Sequence, residues 1–327
     1  MLNIVFMGTP DIAKESLEAL VDAEYPILGV VTNPDRPQGR GMKMISTPVK
    51  EYAISKNIKV YQPEKVKKNE EFLKEIQELN PDLICVISYG KILPKKLLDI
   101  PNKGCVNVHY SLLPKYRGAA PVQWAVLNGD KTTGVTTIYI DTGLDTGDII
   151  YQKETPIGQD ETTGELFTRL SKMGAELLVK TVRDIEKGVA PRKKQEGESN
   201  YAPMLEREMS KIDWENQSAD EIKNLVRGLN PIMGAYTCLN DKKLKFWKVD
   251  ILSQERLCEL FPELKEYEYK LKDIDPGTVL FSGDKEGLYI KTKDGFITVL
   301  EIQAENKGKM NIHDFLRGNQ INSRKYL

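Results

Sequence analysis

LICVISYGKILPKKLLDIPNKGCVNVHY, residues 83–110, holds two continuous apolar, β-branched runs, LICVIS (83–88) and CVNVHY (105–110). Runs of this kind, without polar alternation, belong to strands buried on both faces, as in a parallel sheet covered by helices. The same pattern extends outward. NIVFM, ILGVVTN and KVYQ precede these two runs, and amphipathic stretches such as PDIAKESLEALVD and EEFLKEIQELN separate them. The alternation reads as βαβ units, hence an α/β fold with a doubly wound, mostly parallel sheet and a ligand crevice at the carboxyl ends of its strands. Asn107 and His109 fall at the end of the fifth run. Two apart on a strand, they project to one face while Val106 and Val108 face the other way.

An amide donor beside an imidazole suits the oxyanion that forms when a carbonyl is attacked, because both stabilise charge absent from the ground state. A structural histidine closing a strand is the plainer alternative. DTGLDTGD (141–148) supplies a carboxylate that would orient the ring and favour its charged form. The same loop also has a structural reading, with Asp side chains accepting local N–H bonds and Gly143 and Gly147 taking positive φ.

Length and composition limit the alternatives. A chain of 327 residues exceeds what one core usually holds. Apolar runs fall short of the roughly 20 residues of a membrane span, and MLNIVFMGTP reads as a core strand, so a cytoplasmic protein without a membrane partner is expected. Cys85, Cys105, Cys238 and Cys258 are widely separated, and with two histidines and no CxxC a metal site is not expected. The first βα turn argues against a nicotinamide enzyme. Where a dinucleotide fingerprint needs three glycines it has Gly8, Pro10 and Ala13, and Pro10 suits the first turn of a helix capped by Thr9.

Net charge is −1, so any nucleic-acid contact must rest on local patches. Arg36, Arg40 and Lys43 share one loop, Arg192, Lys193 and Lys194 another, and Lys242, Lys243, Lys245 and Lys248 a C-terminal strand. TGVTTIYI and DIIYQKETP form a further strand pair, followed by a long helix ending at Gly188. The expected organisation is a catalytic domain over 1–190, a polar linker over 191–206 containing PRKKQEGESNYAPML, and a β-rich domain over 207–327. In that last domain SADEIKNLVRGLNP reads as a capped helix, short strands spaced as in a small barrel follow, and NIHDFLRG closes as a short helix.

SLLPKYRG followed by AAPVQW, the Asn-x-His pair, GLDTGD, and the MGTP and NPDRPQGRGMK stretches occur in one order, and IDW, RGLNP and FWK continue it. Over essentially its whole length the chain resembles the 10-formyltetrahydrofolate-dependent formyltransferases. The resemblance implies a Rossmann-like formyltransferase domain and a smaller oligonucleotide-binding-like (OB-like) β-barrel that helps to hold tRNA. It implies catalytic roles for Asn107, His109 and Asp145, and a folate-binding role for Ser111, Leu112, Leu113 and Pro114. It further implies contact between the acceptor stem and the loop carrying Arg36, Arg40 and Lys43. The co-substrate would be 10-formyltetrahydrofolate, with no metal. The acceptor would be initiator methionyl-tRNA, and the enzyme a monomer acting in translation initiation. A formyltransferase for a nucleotide-sugar amine or a purine precursor, and a non-catalytic RNA-binding protein, are the competing readings.

Overall fold

The computed structural model describes residues 1–38, 42–239 and 242–321. They divide into two compact units, one of Met1–Val122, Thr132–Pro156 and Glu165–Met204, the other of Gln123–Lys131, Ile157–Gly164 and the chain from Leu205 on.

The first unit is built on a seven-stranded sheet whose strands lie in the order 149–156, 132–139, 105–109, 83–87, 4–8, 27–31, 60–61. From 105–109 to 60–61 all neighbours are parallel. The strand Thr132–Tyr139 runs antiparallel to Cys105–His109, and Ile149–Pro156 antiparallel to it in turn. From Ile4–Gly8 the chain proceeds outward to 27–31 and 60–61, then returns to the other side of Ile4–Gly8 with Leu83–Ile87. Strand order therefore reverses here, where α/β folds place their ligands.

Burial explains the continuous apolar runs: every residue of Ile4–Gly8 and Leu83–Ile87 is buried. Each fully buried Leu, Ile or Val contributes about 1.5–3 kcal/mol over an exposed one. Register carries one row of side chains across the sheet, from Met7 to Val86, Asn107 and Ile138. Asn107 is thus the polar continuation of an apolar row, and His109 lies one step further toward the strand end, opposite Thr136.

Helix ends follow their sequence signals with one exception. The long helix is Thr163–Glu186, and Gly188 takes φ +71 beyond it. Thr9, however, does not cap the first helix. That helix is Asp11–Asp22, Pro10 occupies the cap position without a side-chain bond, and Thr9 Oγ1 instead accepts from Asn33 N at 3.4 Å. The packing of the first two strand ends takes precedence over the local capping preference.

In the second unit, Ala219–Gly228 is a helix with a full capping box between Ser218 and Glu221. Ile222, Leu225 and Val226 from this helix pack in one core with Phe246, Val249, Leu288, Ile290, Ile297, Val299 and Ile302. These strand residues belong to an antiparallel sheet ordered 235–239, 242–252, 296–304, 287–291, 279–283, with Met310–Asn311 also paired to 296–304. The terminal helix Ile312–Gly318 adds Phe315 and Leu316 to that core. No helix among the described residues is long and apolar enough to cross a membrane.

Candidate active site

His109 is almost fully enclosed and is flanked on both ring edges. Nε2 lies 2.8 Å from the Tyr116 carbonyl oxygen, and Nδ1 lies 3.7 Å from Asp145 Oδ2, with side-chain exposures of 6% and 15% for the pair. A carbonyl only accepts, so Nε2 carries a proton and donates to Tyr116. Nδ1 is left as the nitrogen that faces the carboxylate. At 3.7 Å the two stand beyond direct hydrogen-bonding distance. Asn107, half-buried on the same face of the strand, makes no side-chain hydrogen bond among the described residues, so its amide is available to a ligand.

The carboxylates of the 141–148 loop have separate tasks. Asp141 Oδ1 accepts from Gly143 N at 2.9 Å and Thr146 Oγ1 at 2.7 Å, folding the loop onto itself. Asp148 pairs with Arg192 at 2.9 Å and Lys194 at 2.8 Å. Those partners, Lys194 first, hold its carboxyl below the ordinary range. Only Asp145 faces the ring; its Oδ2 also accepts from Gly118 N at 2.9 Å. Asp145 sits at φ +53, the left-handed region that a non-glycine residue occupies at a cost of order 1–3 kcal/mol. Neither Gly143 nor Gly147 takes the expected positive φ, which falls on Asp145 instead; Gly147 must be glycine because a Cβ there would lie 1.6 Å from the Tyr139 carbonyl oxygen.

The SLLP segment is anchored from within. Ser111 is buried with Oγ donating to Lys115 O at 2.6 Å, and its carbonyl accepts from Thr136 Oγ1 at 2.6 Å. Leu113 N donates to Thr136 Oγ1 at 3.2 Å and Leu113 O accepts from Gln152 Nε2 at 2.8 Å. Leu112 and Pro114 keep partial exposure. Of the basic loop, Arg36 and Lys43 are exposed on the paired strands Arg36–Gln38 and Lys43–Ile45, and Arg40 lies outside the described residues. At the base of these strands Asp35 is held by Lys50 at 2.5 Å and Gln62 at 2.8 Å.

Residues 192–202, expected as part of a linker, bind back onto the first unit. Ile149 and Lys193 exchange backbone bonds of 2.7 and 2.9 Å, and Tyr201–Ala202 pairs with Arg117–Gly118. No motif in the sequence marks Tyr116, which meets His109 seven residues away, or Gly118, Gln195 and Asn200, which reach the site through contacts 27 to 84 residues apart in sequence. Burial raises the Cys85 thiol and pushes that of Cys105 up to about 12, so neither is a ready nucleophile. Among the described residues no cluster of His, Cys, Asp or Glu is placed to hold a metal ion.

An enclosed imidazole, a facing carboxylate and an unengaged amide at the end of a parallel strand can polarise a carbonyl and manage protons around it. The formyl transferase family model matches residues 2–182, and the model for the formyl transferase C-terminal domain matches 204–320. The chain belongs to the formyltransferase family and is a formyl-transferring enzyme. It is 47% identical to the methionyl-tRNA formyltransferase of Clostridioides difficile (strain 630) over 321 residues, 98% of each chain. It is 44% identical to that of Caldanaerobacter subterraneus subsp. tengcongensis, again over 98% of each. An N-formyltransferase from Helicobacter canadensis, in complex with folinic acid and dTDP-3-aminofucose, shares the fold with a TM-score of 0.65 at 24% identity, over 93% of this chain and 100% of that one.

Proposed function

We propose that this enzyme transfers the formyl group of 10-formyltetrahydrofolate to the free α-amino group of initiator methionyl-tRNA. Identity of 47% across 98% of a methionyl-tRNA formyltransferase carries the choice of acceptor. The likeness to the N-formyltransferase crystallised with dTDP-3-aminofucose, at 24%, concerns the fold alone.

In the proposed reaction the unprotonated α-amino nitrogen attacks the formyl carbon, and the carbonyl electrons move onto oxygen. Asn107 donates its amide N–H to that oxyanion, and the Nδ1 edge of His109, when it bears a proton, supplies a second donor. Asp145 orients the ring and balances its charge. The attacking nitrogen then loses a proton to the carboxylate–imidazole pair, the bond from carbon to N10 breaks, and N10 takes up a proton to leave tetrahydrofolate. One C–N bond forms and one breaks, so no enzyme nucleophile intervenes, and alignment of amine and formyl group accounts for much of the rate.

The turn Ser111–Pro114 shapes the folate pocket through its fixed backbone, with Leu112 and Pro114 presenting apolar surface to the pterin. Arg36, Arg40 and Lys43 contact phosphates of the acceptor stem, and the protein acts as a cytoplasmic monomer. The strand Lys242–Leu252 supports a further contact with tRNA, because Lys243 lies 4.4 Å from the Tyr236 ring, and Lys245 and Lys309 lie 5.6 and 3.4 Å from that of Trp247. Basic side chains interleaved with aromatic rings suit a nucleic-acid backbone. Presenting the enzyme with 10-formyltetrahydrofolate and either methionyl-tRNA or a nucleotide-linked amino sugar tests the assignment. Formylmethionine from the first acceptor alone is expected. Formylation of the sugar alone would overturn it.

A further inference from the structure

Both residues that flank the ring of His109 have left-handed backbones: Tyr116 at φ +60 and Asp145 at φ +53. Conformations of this kind persist in non-glycine residues only where the surroundings fix them. One short segment outside the Asn-x-His strand and the Asp loop contacts both. Asn200 Oδ1 accepts from Tyr116 N at 2.5 Å, while Gln195 Nε2 donates to Asp145 O at 2.7 Å and Gly147 O at 2.8 Å. A bond to the Asp145 carbonyl restrains the peptide plane that follows Asp145, and with it the backbone on which the carboxylate stands.

The other end of the same amide is also engaged. Arg117 Nε and Nη2 donate to Gln195 Oε1 at 3.1 and 2.7 Å. Two carbonyls can only accept and a guanidinium can only donate, so a single orientation of the amide satisfies all four bonds. The segment is fastened on the near side by Asp148 through Arg192 and Lys194, and on the far side by the pairing of Tyr201–Ala202 with Arg117–Gly118.

We infer that Gln195 is a positioning residue for formyl transfer, a bridge that holds Asp145 in the left-handed conformation facing His109 and ties it to Arg117, next in the chain to the Tyr116 that meets the other edge of the ring. This rests on the role proposed above for Asp145. Gln195 touches neither reacting group; it acts through the direction of the carboxylate. Its loss lets the Asp145 backbone relax, and a displacement of about 1 Å in a reacting group costs on the order of 100-fold in rate.

Gln195→Glu isolates the interaction, since a carboxylate still accepts from Arg117 but cannot donate to either carbonyl. In full-length enzyme, kcat for methionyl-tRNA formylation is expected to fall about 10- to 100-fold, with KM for both substrates within about threefold and circular dichroism unchanged. In the cycle with Asp145→Asn, the double variant should be no slower than Asp145→Asn alone, because Gln195 has nothing left to aim. Gln195→Ala repeats the cycle if the glutamate variant does not fold. A wild-type kcat in a Gln195 variant, or a double variant slowed by the product of the two single effects, overturns the inference. Asp145→Asn at the wild-type rate would instead remove the role of Asp145, and a Gln195 effect persisting in that background would show that the glutamine acts elsewhere.

Discussion

Replacing Asp145 by Asn removes one charge and changes little else. The amide oxygen can still accept from Gly118 N, now 2.9 Å from Oδ2, so the loop keeps that contact. What disappears is the attraction between the carboxylate and the His109 ring 3.7 Å away when Nδ1 bears a proton, as in the proposed oxyanion complex. Two unit charges at that separation attract by about 4 to 5 kcal/mol at an effective dielectric near 20, a suitable value for a pair this enclosed. The amide dipole recovers part of this, leaving a loss of roughly 3 to 4 kcal/mol. At about 1.4 kcal/mol per tenfold, single-turnover formylation should slow by about 10²- to 10³-fold. The measurement is rapid-quench formation of formylmethionine at saturating folate, with folate affinity determined separately so that a binding defect is not read as a chemical one. Turnover within about threefold of wild type, in a folded variant that binds folate normally, would refute the electrostatic role of Asp145.

Arg36→Ala and Lys43→Ala, on the exposed strands of the basic loop, should each raise KM for tRNA at constant kcat. Each should also reduce the slope of log affinity against log salt by about one, as for a lost phosphate contact; an unchanged slope counts against the contact. Asp148→Asn should lower the melting temperature by at most about 2–3 °C at neutral pH, because its partners Arg192 and Lys194 are largely exposed. The Asp148 carboxyl is held below its ordinary value of 3.8. Its contribution is therefore complete above that pH and lost as pH falls through the lower folded value, so the difference between variant and wild type should hold from neutral pH to about 5 and shrink only in stronger acid. A difference that vanished by pH 6 would exclude this origin.

Periodicity made the first unit legible. Continuous apolar runs, such as those over 83–88 and 105–110, can be buried only in a sheet covered on both faces, and the alternation of strand and helix leaves few topologies. Asn107 and His109 were legible because they share one strand, where a spacing of two fixes a common face. Asp145 could be proposed but not separated by pattern alone from Asp141 and Asp148, and the choice depends on which carboxylate a folded loop turns inward. Gln195 and Asn200 carried no local signal at all. A polar, glycine-containing stretch reads as a linker, and nothing in it reveals partners such as Asp145 or Tyr116, 50 and 84 residues away. Thr9 erred in the opposite direction: a good local capping residue was drawn into the contact between two strand ends.

The most direct test compares Asn107→Ala and His109→Ala with wild type under conditions where folate and methionyl-tRNA binding are both measured independently of turnover. Both variants should bind the two substrates with near-normal affinity while formyl transfer falls by about 100-fold or more, as expected when an oxyanion donor is removed. Near-wild-type transfer by either variant would contradict that role.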